Sequence, residues 1–221
     1  MWSYFSAILD FVGAHPQYAI AAIFLLAWSE AIPVIGTIVP GSTLIIAVSA
    51  LAAGAEVSAV YLVLAAIAGA VAGDASSFWI GSKYHGHVLL IWPLKRYPQF
   101  IARGEAFIRR YGIASVFLAR FTAVVRAFVP LLAGVLKMPP GKFYAANVSS
   151  ALVWAPIHVF PGVLAAFVLG ILGTGREHLV PTVVAAVVLL SLASGFMHGW
   201  IHRRPGRLPP LRLGKWPLAK R

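Results

Sequence analysis

The placement of charge constrains this chain more than any other feature. No lysine or arginine occurs before Lys83, although the chain holds 18 of them against 6 acids. Lys83, Lys95, Arg96, Arg103, Arg109 and Arg110 then crowd one stretch. Arg203, Arg204, Arg207, Arg212, Lys215, Lys220 and Arg221 crowd the end. Long apolar runs separate the two clusters, which is the positive-inside pattern of membrane proteins, and both clusters are expected in the cytoplasm. Composition agrees: 60% of the 221 residues are hydrophobic and 11% are charged, where a soluble domain carries roughly 25% charged residues. That hydrophobicity excludes a disordered chain and argues against a water-soluble globule. The net charge of +12 does not point to nucleic acid, because it is gathered at the ends of apolar runs rather than on a soluble face. With no cysteine, a disulfide scaffold, an iron–sulfur site and a thiol nucleophile are excluded.

The chain divides into three parts. Residues 1–16 read as an interfacial segment, with Trp2, Tyr4 and Phe5 as aromatic anchors and without the positive n-region of a signal peptide. Residues 17–201 form the membrane domain. Residues 202–221 are a basic tail with Pro205, Pro209, Pro210 and Pro217, expected to touch anionic lipid headgroups.

A spanning helix needs about 20 mostly apolar residues. Val57–Ile80, Phe143–Leu172 and Leu179–Ile201 qualify, with a kink expected in the second at Pro156 and Pro161. Two other apolar stretches are broken. The hairpin at 18–53 is interrupted by Glu30, Pro33, Gly36, Pro40 and Gly41. The one at 113–136 contains Arg120, Arg126, Pro130 and Gly134. Their arms are too short to span, and both read as re-entrant hairpins. A conventional pair of short crossing helices is the alternative for the first. Phe100–Tyr111 has helical apolar spacing interleaved with Arg103, Arg109 and Arg110, the pattern of an interfacial amphipathic helix.

Sidedness closes consistently. The first hairpin enters from outside, the second from the cytoplasm, Gly173–His178 lies outside, and the tail returns inside. The expected fold is an all-α polytopic membrane protein with two oppositely oriented re-entrant hairpins plus transmembrane helices. Such inverted repeats are a transporter layout with the site near the midplane.

Four charges lie inside apolar runs: Glu30, Asp74, Arg120 and Arg126. Each costs about 2.5–3.5 kcal/mol at the centre of a membrane helix unless it is paired or wet. They mark either a substrate site or a buried ionic network joining the hairpins. Six residues on one helix place Arg120 and Arg126 about 120° apart, so they share a ligand only if the hairpin breaks at Phe121–Val125. Arginine's planar fork suits phosphate or carboxylate, which implies an anionic substrate. Glu30 suits proton coupling or serves as an arginine's counter-ion. Asp74 follows Gly69 and Gly73, whose spacing lets a helix approach closely, so it belongs at a helix seam. His158 reads as a packing or interface residue before a proton relay. Trp79, Trp154 and Trp200 read as interface-belt or packing residues. Asn147, Ser149 and Ser150 can bond across helices. The chain holds no HExxH, GxSxG or P-loop and no two-carboxylate metal site. No catalytic role, metal or cofactor is expected.

Together these residues resemble the DedA family, whose module is also called the SNARE-associated or VTT domain. The resemblance runs from Glu30 to Gly162. It rests on Glu30-Ala-Ile-Pro33, Val39-Pro40-Gly41-Ser42, Gly69-x-x-x-Gly73-Asp74, Phe78-Trp79-Ile80-Gly81 and Gly86. Its most specific part is Phe117-Leu-Ala-Arg120-Phe121, Val125-Arg126, Pro130, Ala133-Gly134 and Met138. Phe143, Asn147, Trp154 and Gly162 complete it. It implies a bacterial inner-membrane protein with facing re-entrant hairpins that moves a lipid between leaflets. The implied substrate is a polyprenyl phosphate such as undecaprenyl phosphate, with dependence on the proton gradient. By position, Arg120 and Arg126 match the family's essential pair and Glu30 its first acid. Pro33, Pro40, Gly41, Ser42, Pro130 and Gly134 are expected to form the hairpin breaks and line the site. Many members carry a second acid where this chain has Ser42. A hydroxyl does not exchange a proton near neutral pH, so Glu30 or Asp74 would serve alone. A phospholipid such as phosphatidylethanolamine, or a small ion moved with protons, are the rival cargoes, and a non-transporting assembly factor is the third reading.

Overall fold

A computed structural model describes residues 11, 14–33, 35–38, 41–84, 98–122, 126 and 128–171. The expected span Leu179–Ile201, Pro40, the tail 202–221 and most of segment 1–16 lie outside these residues. The described chain is all-helical. A 3-10 turn, Pro16–Tyr18, leads into α1 (Ala19–Glu30), α2 (Ile35–Ile38), α3 (Gly41–Ala53), α4 (Ala59–Tyr84), α5 (Pro98–Tyr111), α6 (Ala114–Ala119), α7 (Val129–Val135) and α8 (Pro140–Ile171).

Two helices, α4 and α8, are long and apolar enough to cross a membrane. At 1.5 Å per residue they measure roughly 39 and 48 Å, against a hydrocarbon core of about 30 Å. Both leave apolar side chains uncovered, Val60, Tyr61 and Leu64 on α4 and Leu152, Phe160 and Phe167 on α8. Such a surface suits lipid and not water. The two helices pack antiparallel. Phe78 stacks on Phe143 with ring centroids 4.1 Å apart, and Asn147 Nδ2 donates to Val71 O at 3.2 Å. The bend expected in α8 does not interrupt it. The helix runs as one element through Pro156 and Pro161, as membrane helices tolerate when neighbours cover the freed backbone groups.

Each half of the α4–α8 pair holds one pair of shorter helices. In the first half, α1 and α3 pack with Leu62, Ala66 and Ala70 of α4 and Trp154, Ala155 and Val159 of α8. Here α1 ends because Pro33 follows, and a residue before proline avoids helical backbone. In the second half, α5, α6 and α7 pack with Phe78 of α4 and Phe143 and Ala146 of α8. There Pro130 stands in the first turn of α7, at a position where the missing N–H costs no hydrogen bond. With 12 and 13 residues in α1 and α3, and 6 and 7 in α6 and α7, each of these helices is shorter than about 20 Å.

Glycines set the seams, because backbone meets backbone there. A Cβ at Gly69 would lie 2.2 Å from Phe24 O, one at Gly81 2.1 Å from Leu131 O, and one at Gly134 2.2 Å from Phe78 O. Gly134 therefore does not stand at a hairpin break as expected. It lies inside α7 and lets that helix rest on α4.

The amphipathic helix expected near 100–111 is present as α5. Part of its apolar face packs on protein, while Tyr111 stays exposed. Ile108 is fully buried in the second core with Ile101 and Phe107 against it, and a Cβ at Gly104 would lie 2.5 Å from Leu132 Cδ1. Arg103, Arg109 and Arg110 remain on its exposed side.

Candidate functional site

The four charges found in apolar runs form two ion pairs, Glu30 with Arg126 and Asp74 with Arg120. Glu30 is the last residue of α1. Its Oε1 accepts from Ser42 Oγ at 2.6 Å and from Arg126 Nη1 at 2.8 Å. Ser42 opens α3 beside Gly41, and a Cβ at Gly41 would sit 2.6 Å from Glu30 Oε2. Only a glycine admits the carboxylate there. Oε2 itself is buried and has no hydrogen-bond partner among the described residues.

Arg120 ends α6 and is 6% exposed. Its Nη2 donates both to Asp74 Oδ2 on α4 and to Asn147 Oδ1 on α8. Its Nη1 is buried without a partner among the described residues. Asp74 is also buried, so it lies inside the protein and not at the cytoplasmic water. About 15 Å of helix separates it from the end of α4 at Tyr84.

The two arginines converge because α6 ends at Ala119 and Arg120–Thr122, Arg126 and Phe128 lie in turns, while most of the expected break at Phe121–Val125 lies outside the described residues. Their guanidinium carbons lie 5.9 and 5.2 Å from the ring centre of the same tryptophan, Trp154. Trp154 is 1% exposed. It is therefore no interface-belt residue but the shared aromatic neighbour of both cations, an arrangement that strengthens when water is excluded. His158, one turn on, packs its ring 4.4 Å from Trp154 and donates Nδ1–H to Trp154 O at 2.8 Å. Asn147, Trp154 and His158 recur at seven and four residues, one face of α8. That spacing, with an asparagine in an apolar run, is the signal that could have joined them to the arginines.

The remaining expected residues divide. Gly41 and Ser42 touch Glu30. Pro33 lies in the turn after α1. Pro130 is buried in the first turn of α7. Gly134 packs on Phe78 and Ser82, away from the charges. No group of three or more metal-ligating side chains occurs among the described residues.

Chemically, the site pairs two donors for an anion with two carboxylates that already occupy them. A buried ion pair loses about 3–5 kcal/mol when one partner leaves uncompensated. An arriving anion can offset that loss by taking the departing carboxylate's place on the guanidinium.

The VTT domain matches residues 39–164, more than half of the chain. Inner membrane protein YabI of Escherichia coli (strain K12) is 31% identical over 160 residues, covering 72% of this chain and 63% of that protein. Uncharacterized membrane protein slr0232 of Synechocystis sp. is 34% identical over 146 residues, 65% of each chain. Uncharacterized membrane protein Rv2637 of Mycobacterium tuberculosis is 35% identical over 128 residues, 55% of this chain and 58% of that one. The chain thus spans somewhat less than two thirds of the length of these curated relatives. No solved structure matches it. The site residues from Ser42 through Asp74, Arg120 and Arg126 to Trp154 all fall inside the matched region, and the chain belongs to the VTT-domain, or DedA, family of membrane proteins.

Proposed function

We propose that this protein is a lipid transporter, not an enzyme. It moves a polyprenyl phosphate such as undecaprenyl phosphate between the leaflets of a bacterial inner membrane and draws on the proton gradient. The observation that carries the reading is the 2.8 Å contact of Arg126 with Glu30, made between the ends of two helix pairs that are each too short to span. We read the pairs as oppositely oriented re-entrant hairpins. The α1–α3 pair enters from the outer face, and the α6–α7 pair from the cytoplasmic face with the C-terminal tail.

A polyprenyl phosphate keeps its tail in lipid, so only its anionic head needs a polar path. Arginine replaces the head's lost water with a fork of N–H donors matched to phosphate oxygens. Glu30 is the exchangeable counter-ion. A proton on its free Oε2 releases Arg126 to the head, and loss of that proton restores the ion pair and expels the head. One proton thereby becomes coupled to one passage.

The rival reading treats the charges as a structural network, since every one of them has a partner. Reconstitution in liposomes separates the two, with labelled polyprenyl phosphate and phosphatidylethanolamine measured side by side. Lysine keeps the charge and loses the fork. Arg120→Lys and Arg126→Lys should therefore cut polyprenyl phosphate movement strongly while the protein stays folded and inserted. Glu30→Gln should lose the response to a pH gradient more than basal movement. Wild-type rates in both lysine variants would leave the structural network as the account. Preferential movement of phosphatidylethanolamine would replace the cargo.

A further inference from the structure

We infer that the two arginines do different work: Arg120 is a fixed donor held in place by Asp74 and Asn147, and Arg126 is the arm that exchanges its partner. The inference deepens the transport reading and rests on it.

Arg120 is held from two elements at once. Both of its bonds go through one nitrogen, Nη2, to Asp74 of α4 and Asn147 of α8. These are the two long helices, and Asn147 is itself fixed, fully buried with Nδ2 on Val71 O. Moving Arg120 means breaking contacts with both spans. Its Nη1 nevertheless stays buried and unpartnered among the described residues. A buried charged donor without an acceptor is expensive, and an oxyanion supplies the missing acceptor without disturbing Nη2.

Arg126 is held differently. Its carboxylate contact among the described residues is Glu30, which lies on the other helix pair. Glu30 has a second anchor in Ser42 and an unpartnered oxygen. The Arg126–Glu30 contact joins two short pairs and no spanning helix, so parting it requires no movement of α4 against α8. Trp154 keeps aromatic surface beside the Arg126 guanidinium in either state. Asn147 is therefore a positioning residue: its amide is taken up by Arg120 Nη2 and Val71 O, and it aims Nη1 of Arg120.

The test titrates the full chain in phosphatidylcholine nanodiscs with farnesyl phosphate, using farnesol as the uncharged control. Glu30→Gln removes the competing carboxylate from Arg126 and should tighten farnesyl phosphate binding about tenfold, the worth of one charge-assisted hydrogen bond. Asp74→Asn should bind no more tightly than wild type, because freeing Arg120 loosens its aim. Asn147→Ala should weaken binding about tenfold and leave farnesol partition unchanged, a readout that lost packing alone does not produce. If Asp74→Asn tightened binding as much as Glu30→Gln, the arginines would be equivalent and the division wrong. Wild-type affinity in Asn147→Ala would overturn the positioning role.

A ligand-free arm uses the absence of cysteine. Ser42→Cys should react with a small methanethiosulfonate reagent at least about tenfold faster once Glu30→Gln frees Arg126, a gain that the fully buried Asn147→Cys should not share. Equal gains would refute the division. If neither wild type nor Glu30→Gln preferred farnesyl phosphate to farnesol, the transport reading would fall and the thiol rates would still decide between the arginines.

Discussion

Replacing Gly134 with alanine drives a methyl group into the backbone of α4. The new Cβ would lie 2.2 Å from Phe78 O and 2.7 Å from Ser82 N. Unbonded heavy atoms rest at about 3.5 Å, so α7 must move away by roughly 1 Å. Both obstructing atoms are backbone and have no rotamer to turn to. The reciprocal contact of Gly81 with Leu131 O parts at the same time. Overpacking of this kind costs about 1–3 kcal/mol, and the better helix propensity of alanine offsets about 1, leaving a net loss of about 0–2 kcal/mol. Gly141→Ala and Gly170→Ala are the controls, since a Cβ at either meets nothing within 4 Å. Each should be neutral or stabilising by up to about 1 kcal/mol. The shift also reaches the site, because α7 starts three residues after Arg126. A displacement near 1 Å stretches the Arg126–Glu30 contact and should lower lipid movement about 100-fold. Unfolding of the purified protein in detergent measures the first effect and liposome flux the second. Equal melting of Gly134→Ala and Gly141→Ala would refute the reasoning that this seam is backbone on backbone.

Four further outcomes are expected. Arg126→Gln should destabilise the protein by about 3–5 kcal/mol, while Arg126→Gln combined with Glu30→Gln should recover most of that loss; a double-mutant cycle by thermal unfolding shows it. Trp154→Phe should keep the fold but weaken the aromatic contact of both guanidinium groups by about 0.5–2 kcal/mol each, read as a drop in flux larger than the drop in melting temperature. Lys137 adopts φ 57° after α7, so Lys137→Gly should stabilise by about 1 kcal/mol through relief of left-handed strain, measured in the same melt. A single cysteine at Glu56 should label from outside and one at Lys142 from the cytoplasm; the reverse would invert the proposed orientation.

Most of the architecture was legible in the chain because it follows from local chemistry. Proline and glycine at Pro33, Gly41 and Pro130 stop or start helices wherever they stand. The absence of lysine and arginine before Lys83 sets the sidedness expected of the chain. Apolar length alone marks α4 and α8 as spans. The cost of burying Glu30, Asp74, Arg120 and Arg126 singled them out before any contact was known.

What the sequence left open was which charge meets which, since pairing depends on how helices distant in the chain cross. Arg120 takes Asp74 and Asn147, and Arg126 takes Glu30, because α6 ends against the two long helices while Arg126 faces the end of α1. The same crossing decided between the belt and packing readings of Trp154, burying it beside both cations, and turned Gly134 from a break into a seam. It also laid Ile108 and Gly104 of α5 against the second core. Periodicity marks a face as apolar but does not name what covers it. That choice is made only when the chain has folded, and here it separates a row of isolated charges from a closed ionic site.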